Sequence, residues 1–273
     1  MSGFRAPLDW PEEVSSDHKK AIHTAAQDLQ NEFGPRLLGL LLAGSVARFE
    51  ADEYSDIDLL AIIDSNWYQR RQLRVAGVDV DLFIDCRDRV AYALTSGGND
   101  ALVESYADGW VLYDPDQQVS RFQMTAAAIR RGVRRFRQGG ELFAHATRVT
   151  NALKSYLRTA SSDDPNSVLQ LHYLIANGLT AYYVFARRWL PSKKGLLNDL
   201  RGAAPEFYDL VANLLSVATM PSHKIALAQK FVATILDLDP AASASKESQK
   251  FFFKSPAVPV KLGENTVYVT AAD

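Results

Sequence analysis

Two aliphatic runs, Leu38 to Ala43 and Leu59 to Ile63, stand close together in the first quarter of the chain. A polar stretch, GSVARFEADEYSDID, separates them. Both runs are short and bounded by glycine or acidic residues, the pattern of buried strands. Before them, Ser15-Ser16 and DHKKAIHTAAQDLQNEF predict a helix stopped by Gly34-Pro35, with Ala21, Ile22, Ala25, Leu29 and Phe33 on one stripe. His18 and His23 fall on its polar side without ligand spacing and are expected at the surface. After them, Gln72 to Val75 and Val78 to Ile84 flank Ala76-Gly77, which predicts a hairpin. CRDRVAYALTS then reads as a helix closed by Gly97-Gly98. Another short helix follows, and a last strand, Trp110 to Tyr113, ends in Asp-Pro.

From Asp116 the period becomes helical. Helices are expected at Gln117–Gln138, Glu141–Thr159, Ser167–Trp189, Lys193–Arg201, Pro205–Thr219 and Ser222–Leu236, punctuated by Gly139-Gly140, Pro191, Gly202 and Met220-Pro221. The third of these is apolar nearly all round and is expected at the centre of a bundle, with Tyr173, Tyr182 and Tyr183 in core packing. AASASKESQK reads as a loose segment and AVPVKLGENTVYVT as a terminal hairpin. The fold class is therefore α+β. A domain over residues 1–115 is built on a mixed sheet with flanking helices, and an all-helical bundle follows at 116–240. Residues 241–273 form the loose segment and hairpin.

Composition narrows the chemistry only slightly. The chain has 273 residues and a net charge of −2, so it exerts no overall pull on nucleic acid. Its single cysteine, Cys86, excludes an internal disulfide framework, suits a reducing compartment and is expected to serve packing. No apolar run approaches a bilayer span and the N-terminus lacks a secretory pattern, so a cytoplasmic protein without membrane contact is expected.

The candidate chemistry lies in the polar stretch between the first two strands. Ser45 is placed to cap a short helix through Val46-Ala47-Arg48-Phe49, which would leave backbone N–H groups free beside Gly44 for a phosphate. Asp56 and Asp58 stand two apart at the start of the second strand, so both carboxylates leave one face. Two adjacent carboxylates repel unless a cation lies between them, and a hard cation such as Mg²⁺ suits oxygen donors. Together these features point to nucleotide chemistry.

Gly44-Ser45, ten residues and then Asp56-Ile57-Asp58 resembles the signature of the DNA polymerase beta-type nucleotidyltransferases. GSVAR and YSDIDLLAII are most similar to the small bacterial members, which include aminoglycoside and lincosamide nucleotidyltransferases and minimal nucleotidyltransferases. The resemblance covers Leu38 to Asp85, with a fainter echo to Asp114. It implies two Mg²⁺ ions held by Asp56, Asp58 and a third acid on a neighbouring strand. Asp79 in Val-Asp-Val is favoured for that place, and Asp81 in Val-Asp-Leu is the alternative. The resemblance further implies that Gly44 and Ser45 hold the β- and γ-phosphates. Arg48 either neutralises a phosphate or pairs with Glu50 or Asp52. Lys194 in Pro-Ser-Lys-Lys matches a triphosphate-facing lysine of relatives, with Lys193 as alternative and a solvated helix start as the plain reading. Two departures stand out: Val46 and Phe49 replace an Arg and a Gly found in many members, which removes one phosphate contact and makes the loop bulkier.

The implied activity is Mg²⁺-dependent transfer of a nucleoside monophosphate, AMP from ATP or the equivalent from another NTP, to a hydroxyl on a small molecule. Modification of a protein or RNA, or a non-catalytic nucleotide- or partner-binding role, are the alternatives. The run Arg130, Arg131, Arg134, Arg135, Arg137 would form one helical face able to track an RNA backbone, but a solvated face is the expected use.

Overall fold

The computed structural model describes residues 14–96, 99–132, 134, 140–160, 165–192 and 194–240, and the backbone of 258–262 and 265–269. AASASKESQK, Gly97-Gly98, Lys193, Arg135 and Arg137 lie outside the described residues. The chain divides into two compact units, Met1–Gly132 with Phe252–Asp273, and Val133–Phe251.

In the first unit, helix α1 (Ser16–Phe33) leads through a 3₁₀ turn into β1 (Leu37–Ala43). A four-residue helix α2 (Gly44–Ala47) follows, then β2 (Ile57–Ile63), β3 (Gln69–Val75) and β4 (Val78–Cys86). Helices α3 (Arg87–Thr95) and α4 (Asp100–Asp108), strand β5 (Trp110–Tyr113) and helix α5 (Gln118–Arg131) complete it. The strands form one mixed sheet in the order β3-β4-β2-β1-β5, in which β2 and β4 run parallel and the other neighbours antiparallel. The β3–β4 turn is Ala76-Gly77, both at positive φ (51° and 86°), the geometry that follows strand twist in a two-residue hairpin.

The central position of β1 and β2 explains their composition. Every residue of LLGLLLA and IDLLAII is buried except Leu38 and Asp58, because helices cover both faces. Ala21, Ile22, Ala25, Leu29 and Phe33 of α1 pack with Leu40, Leu42, Leu59, Ala61, Val80 and Leu82. Each large aliphatic chain fully removed from water contributes about 1.5–3 kcal/mol, so this layer holds the sheet. By strand alternation Asp58, Leu60 and Ile62 face the other way, as do Asp81, Phe83 and Asp85.

Helix α5 belongs to the first unit, which therefore extends past the expected boundary at residue 115. Asp114 ends β5 and caps α5, accepting from the N–H of Val119 at 2.9 Å and of Ser120 at 2.8 Å. Val119 lies so close over β1 that a Cβ at Gly39 would overlap its Cγ2. The helix ends at Arg131, earlier than the expected Gln138.

The second unit comprises α6 (Glu141–Thr159), α7 (Pro165–Phe185), α8 (Leu196–Ala203), α9 (Pro205–Leu215) and α10 (Pro221–Leu236). As expected, α7 is its centre, with Leu174, Ala181 and Tyr183 fully buried. Tyr182 stacks on Phe207 at 4.2 Å between ring centroids, and Phe207 stacks on Phe231 at 5.2 Å. Tyr183 donates to Asp199 at 2.6 Å. These tyrosines serve the core; Tyr173 is exposed. The terminal hairpin is present as β6 (Val258–Leu262) and β7 (Asn265–Val269) and groups with the first unit. No helix among the described residues is long and apolar enough to cross a membrane.

Candidate active site

The polar stretch between β1 and β2 closes over the end of the sheet. Ala43, the last residue of β1, pairs with Asp58 on β2, and the chain turns at Gly44 with φ +72°. A Cβ at Gly44 would overlap the Oδ2 of Asp58, so the glycine is needed both for its backbone and for the room it leaves. The sequence placed Ser45 as the cap of the short helix. It lies inside that helix instead, because Gly44 already starts α2 and Ala43 takes the cap position. Ser45 is buried, and its carbonyl accepts from the N–H of Glu50 at 2.9 Å, which ties the loop back on itself.

Phe49 explains one departure from the resembling sequences. It takes φ +59°, the left-handed region that a glycine would occupy without strain. Its ring lies 4.8 Å from that of Trp110 on β5. The pairing is worth about 0.5–1.5 kcal/mol, enough to offset a backbone cost of similar size. The aromatic contact thus holds Phe49 in the left-handed conformation.

Strand register separates the two candidate third acids in space. Asp58 on β2 stands directly beside Asp81 on the parallel strand β4. Asp81 is buried at 8% exposure. The favoured Asp79 precedes the first paired residue, Val80, and is exposed, ion-paired at 3.6 Å to Arg74 across the hairpin. The register therefore sets Asp81, in Val-Asp-Leu, beside Asp58, and leaves the favoured Asp79 at the exposed start of the strand. Asp56 is exposed just before β2. Burial pushes the Asp58 carboxyl up to about 6, aided by the charges of Asp56 and Asp81 and opposed by those of Arg48 and Arg70.

Arg48 makes the ion pair with Glu50, at 2.9 Å, that the sequence left as one of its two uses. Lys194 belongs to the helical unit and is exposed in the turn before α8. Among the described residues of the arginine run, Arg130 and Arg131 lie on α5 and Arg134 lies outside any helix. Arg130 pairs with Asp108, α5 ends one residue later, and Arg134 is buried and donates to Glu141 at 2.8 Å.

Three features were not read from the sequence. His18, expected at the surface, is buried. Its Nε2 donates to the Ser55 carbonyl at 3.1 Å, which requires the proton there, and Nδ1 accepts from the Ser15 hydroxyl at 2.6 Å. Asp52 completes the anchor by accepting from Ser55 Oγ at 2.8 Å and from the N–H of Tyr54 at 3.0 Å. This holds the segment that delivers Asp56. Secondly, Asp85 lies further along the same face of β4, pairs with Arg89 and is pushed up to about 6 by burial, partly offset by Arg89. Arg89 in turn sits over the ring of Tyr68 at 3.9 Å. Thirdly, Arg70 binds Asp81 at 2.5 Å. The His18–Ser55 and Arg70–Asp81 contacts join residues distant in sequence, so no local pattern signals them. Cys86 ends β4 buried, and burial raises its thiol pKa.

The carboxylates of Asp56, Asp58 and Asp81 are hard oxygen donors whose mutual repulsion is already visible at Asp58, and such a set fits a divalent cation. They are not drawn together around a point: among the described residues no three His, Cys, Asp or Glu side chains are placed to hold a metal ion as they stand.

Comparison with solved structures decides the fold. A nucleotidyltransferase-like protein from Exiguobacterium sibiricum superposes with a TM-score of 0.53 at 13% identity, covering 81% of this chain and 77% of that one. The chain has a nucleotidyltransferase-like fold. No protein-family model and no curated protein matches the sequence.

Proposed function

We propose that this protein is a Mg²⁺-dependent nucleotidyltransferase that moves AMP from ATP onto a hydroxyl of a small molecule in the cytoplasm and releases pyrophosphate. The observation that carries the reading is Asp58, pressed against Gly44 and in register with Asp81, on a nucleotidyltransferase-like fold. Asp56, Asp58 and Asp81 would hold the cations; bound Mg²⁺ would neutralise charge on the phosphoryl oxygens and the departing pyrophosphate. The Gly44-Ser45 turn lets a phosphate approach the backbone, with Arg48 as a further phosphate partner. The acceptor oxygen forms a bond to the α-phosphorus while the bond to the β-phosphate oxygen breaks. The acceptor proton passes to a carboxylate of the cluster. Protein here acts by placing the reactants and by charge, which is what phosphoryl chemistry demands.

The test is transfer of label from α-labelled ATP into aminoglycosides, lincosamides, bulk tRNA and lysate protein. We expect a labelled small molecule. Asp81→Asn should lower transfer about 10³-fold or more, whereas Asp79→Asn should stay within about threefold of wild type. No product with any acceptor and any of the four NTPs, or full activity in Asp81→Asn, overturns the assignment.

A further inference from the structure

Arg70 lies on the edge strand β3, paired in register with Phe83 of β4. Its guanidinium carbon sits 5.1 Å from the centre of the Phe83 ring, and Nη2 donates to Asp81 Oδ2 at 2.5 Å. The two partners differ in environment. Asp81 retains 11% of its side-chain exposure and Arg70 retains 56%. The carboxylate is fixed by the sheet, while the cation that occupies it reaches in from solvent on a flexible stem. The positive charge of Arg70 is also felt at Asp58, next to Asp81 in the sheet.

A guanidinium and a divalent cation compete for the same carboxylate lone pairs, and each repels the other. While Arg70 holds Oδ2, Asp81 is turned toward β3, and no three carboxylates among the described residues are gathered for a metal. We propose that Arg70 is a latch on the cation site: it holds Asp81 in the cation-free protein, and a divalent cation binds fully only when that ion pair opens. The Phe83 ring gives the released guanidinium a place to rest, since stacking on an aromatic face does not need the carboxylate. The inference rests on the nucleotidyl-transfer reading, because it takes Asp81 as a cation ligand. Arg70 acts through Asp81 and is a positioning residue; nothing assigns it contact with substrate.

The latch predicts a gain of binding on removal of a cation-side partner, the reverse of what a supporting residue would give. Binding of Mn²⁺ to the nucleotide-free full chain is followed by electron paramagnetic resonance of the free ion. Wild type, Arg70→Ala, Arg70→Gln, Asp81→Asn and the Arg70→Ala/Asp81→Asn double variant are compared, with near-ultraviolet circular dichroism as the folding control. Both Arg70 variants should bind Mn²⁺ about tenfold more tightly than wild type. In the Asp81→Asn background the Arg70 change should alter affinity less than about threefold, because the pair it breaks is already gone. Because Arg70 is more than half exposed, at least one of its two variants is expected to retain the wild-type fold. Saturable binding by wild type with equal or weaker binding in the folded Arg70 variants overturns the latch and leaves the nucleotidyltransferase reading standing. Absence of saturable Mn²⁺ binding in wild type and in both Arg70 variants removes that reading and the latch together.

Discussion

Asp58 shows how one buried carboxyl carries a cost of stability. Its carboxyl is held at about 6, above the ordinary 3.8, first by burial and then by Asp56 and Asp81. Between those two values the folded protein keeps a proton that the unfolded chain has released, so stability falls as pH rises through this window. Asp58→Asn removes that loss without removing the side-chain volume. In the presence of a chelator the variant should melt a few degrees above wild type near pH 7.5, and the two melting curves should converge only below about pH 3.8, the unfolded value. Transfer activity in the same variant should fall about 10³-fold or more, since an amide cannot replace the carboxylate as a cation ligand. Asp85 titrates in the same window, but it is common to both proteins and cancels in the difference. A variant that melts no higher than wild type at neutral pH would show that Asp58 is not strained by its neighbours. Gly44 bears on the same atom from the other side, because any side chain there would displace Oδ2.

At the scale of elements, close packing outweighs propensity. Gly178 is the example, sitting in the middle of α7, where glycine costs a helix about 0.8–1.0 kcal/mol relative to alanine. It is needed because α10 crosses there: a Cβ would overlap Cε1 and Cζ of Phe231, whose ring is fully buried and stacked on Phe207. Gly178→Ala gains propensity but forces that ring stack apart, an overpacking penalty of about 1–3 kcal/mol. We expect a net loss of up to about 2 kcal/mol in urea unfolding, with the first unit unchanged. Increased stability on this change would mean that α7 and α10 can separate without cost. The strand elements follow the same rule: β4 pairs on one side with β2 and on the other with β3, and that double pairing leaves one register in which Asp81 meets Asp58.

The whole molecule carries a net charge of −2, and several of its described arginines are paired with acids: Arg71 with Glu32, Arg74 with Asp79, Arg89 with Asp85, Arg130 with Asp108 and Arg134 with Glu141. A polyanionic RNA acceptor would need a basic surface whose charges are available, and its binding would weaken steeply with salt. The proposed small-molecule acceptor makes no such demand. Arg130→Ala/Arg131→Ala should therefore leave transfer within about twofold of wild type, with the same ratio at low and at physiological salt. Label entering RNA, with a salt slope that flattens in the double variant, would overturn the choice of acceptor and leave the nucleotidyl-transfer chemistry in place.

The sequence alone determined whatever depends on neighbours along the chain. Uninterrupted aliphatic runs on either side of Gly44-Ser45 and Asp56-Ile57-Asp58 marked two buried strands. The alternation of Val78, Val80 and Leu82 and the Ala76-Gly77 turn marked the hairpin, and the change to helical period after Asp116 marked the bundle. Glu141–Thr159 was legible to the residue, because a glycine pair precedes it and a single amphipathic stripe runs through it. What the tertiary structure alone decided depends on which elements meet. Asp79 and Asp81 lie on the same strand face, so period gives them equal standing, and only the pairing of β4 with β2 brings Asp81 beside Asp58. His18 looks like one more polar residue of α1 until the segment before β2 folds over it and presents the Ser55 carbonyl. The arginine run looks continuous until α5 ends at Arg131 and Arg134 is buried against Glu141. Arg70 acquires its role from a contact with Asp81 that crosses a hairpin. Periodicity encodes which side of an element is buried; it is silent on what stands opposite, and a site is made of what stands opposite.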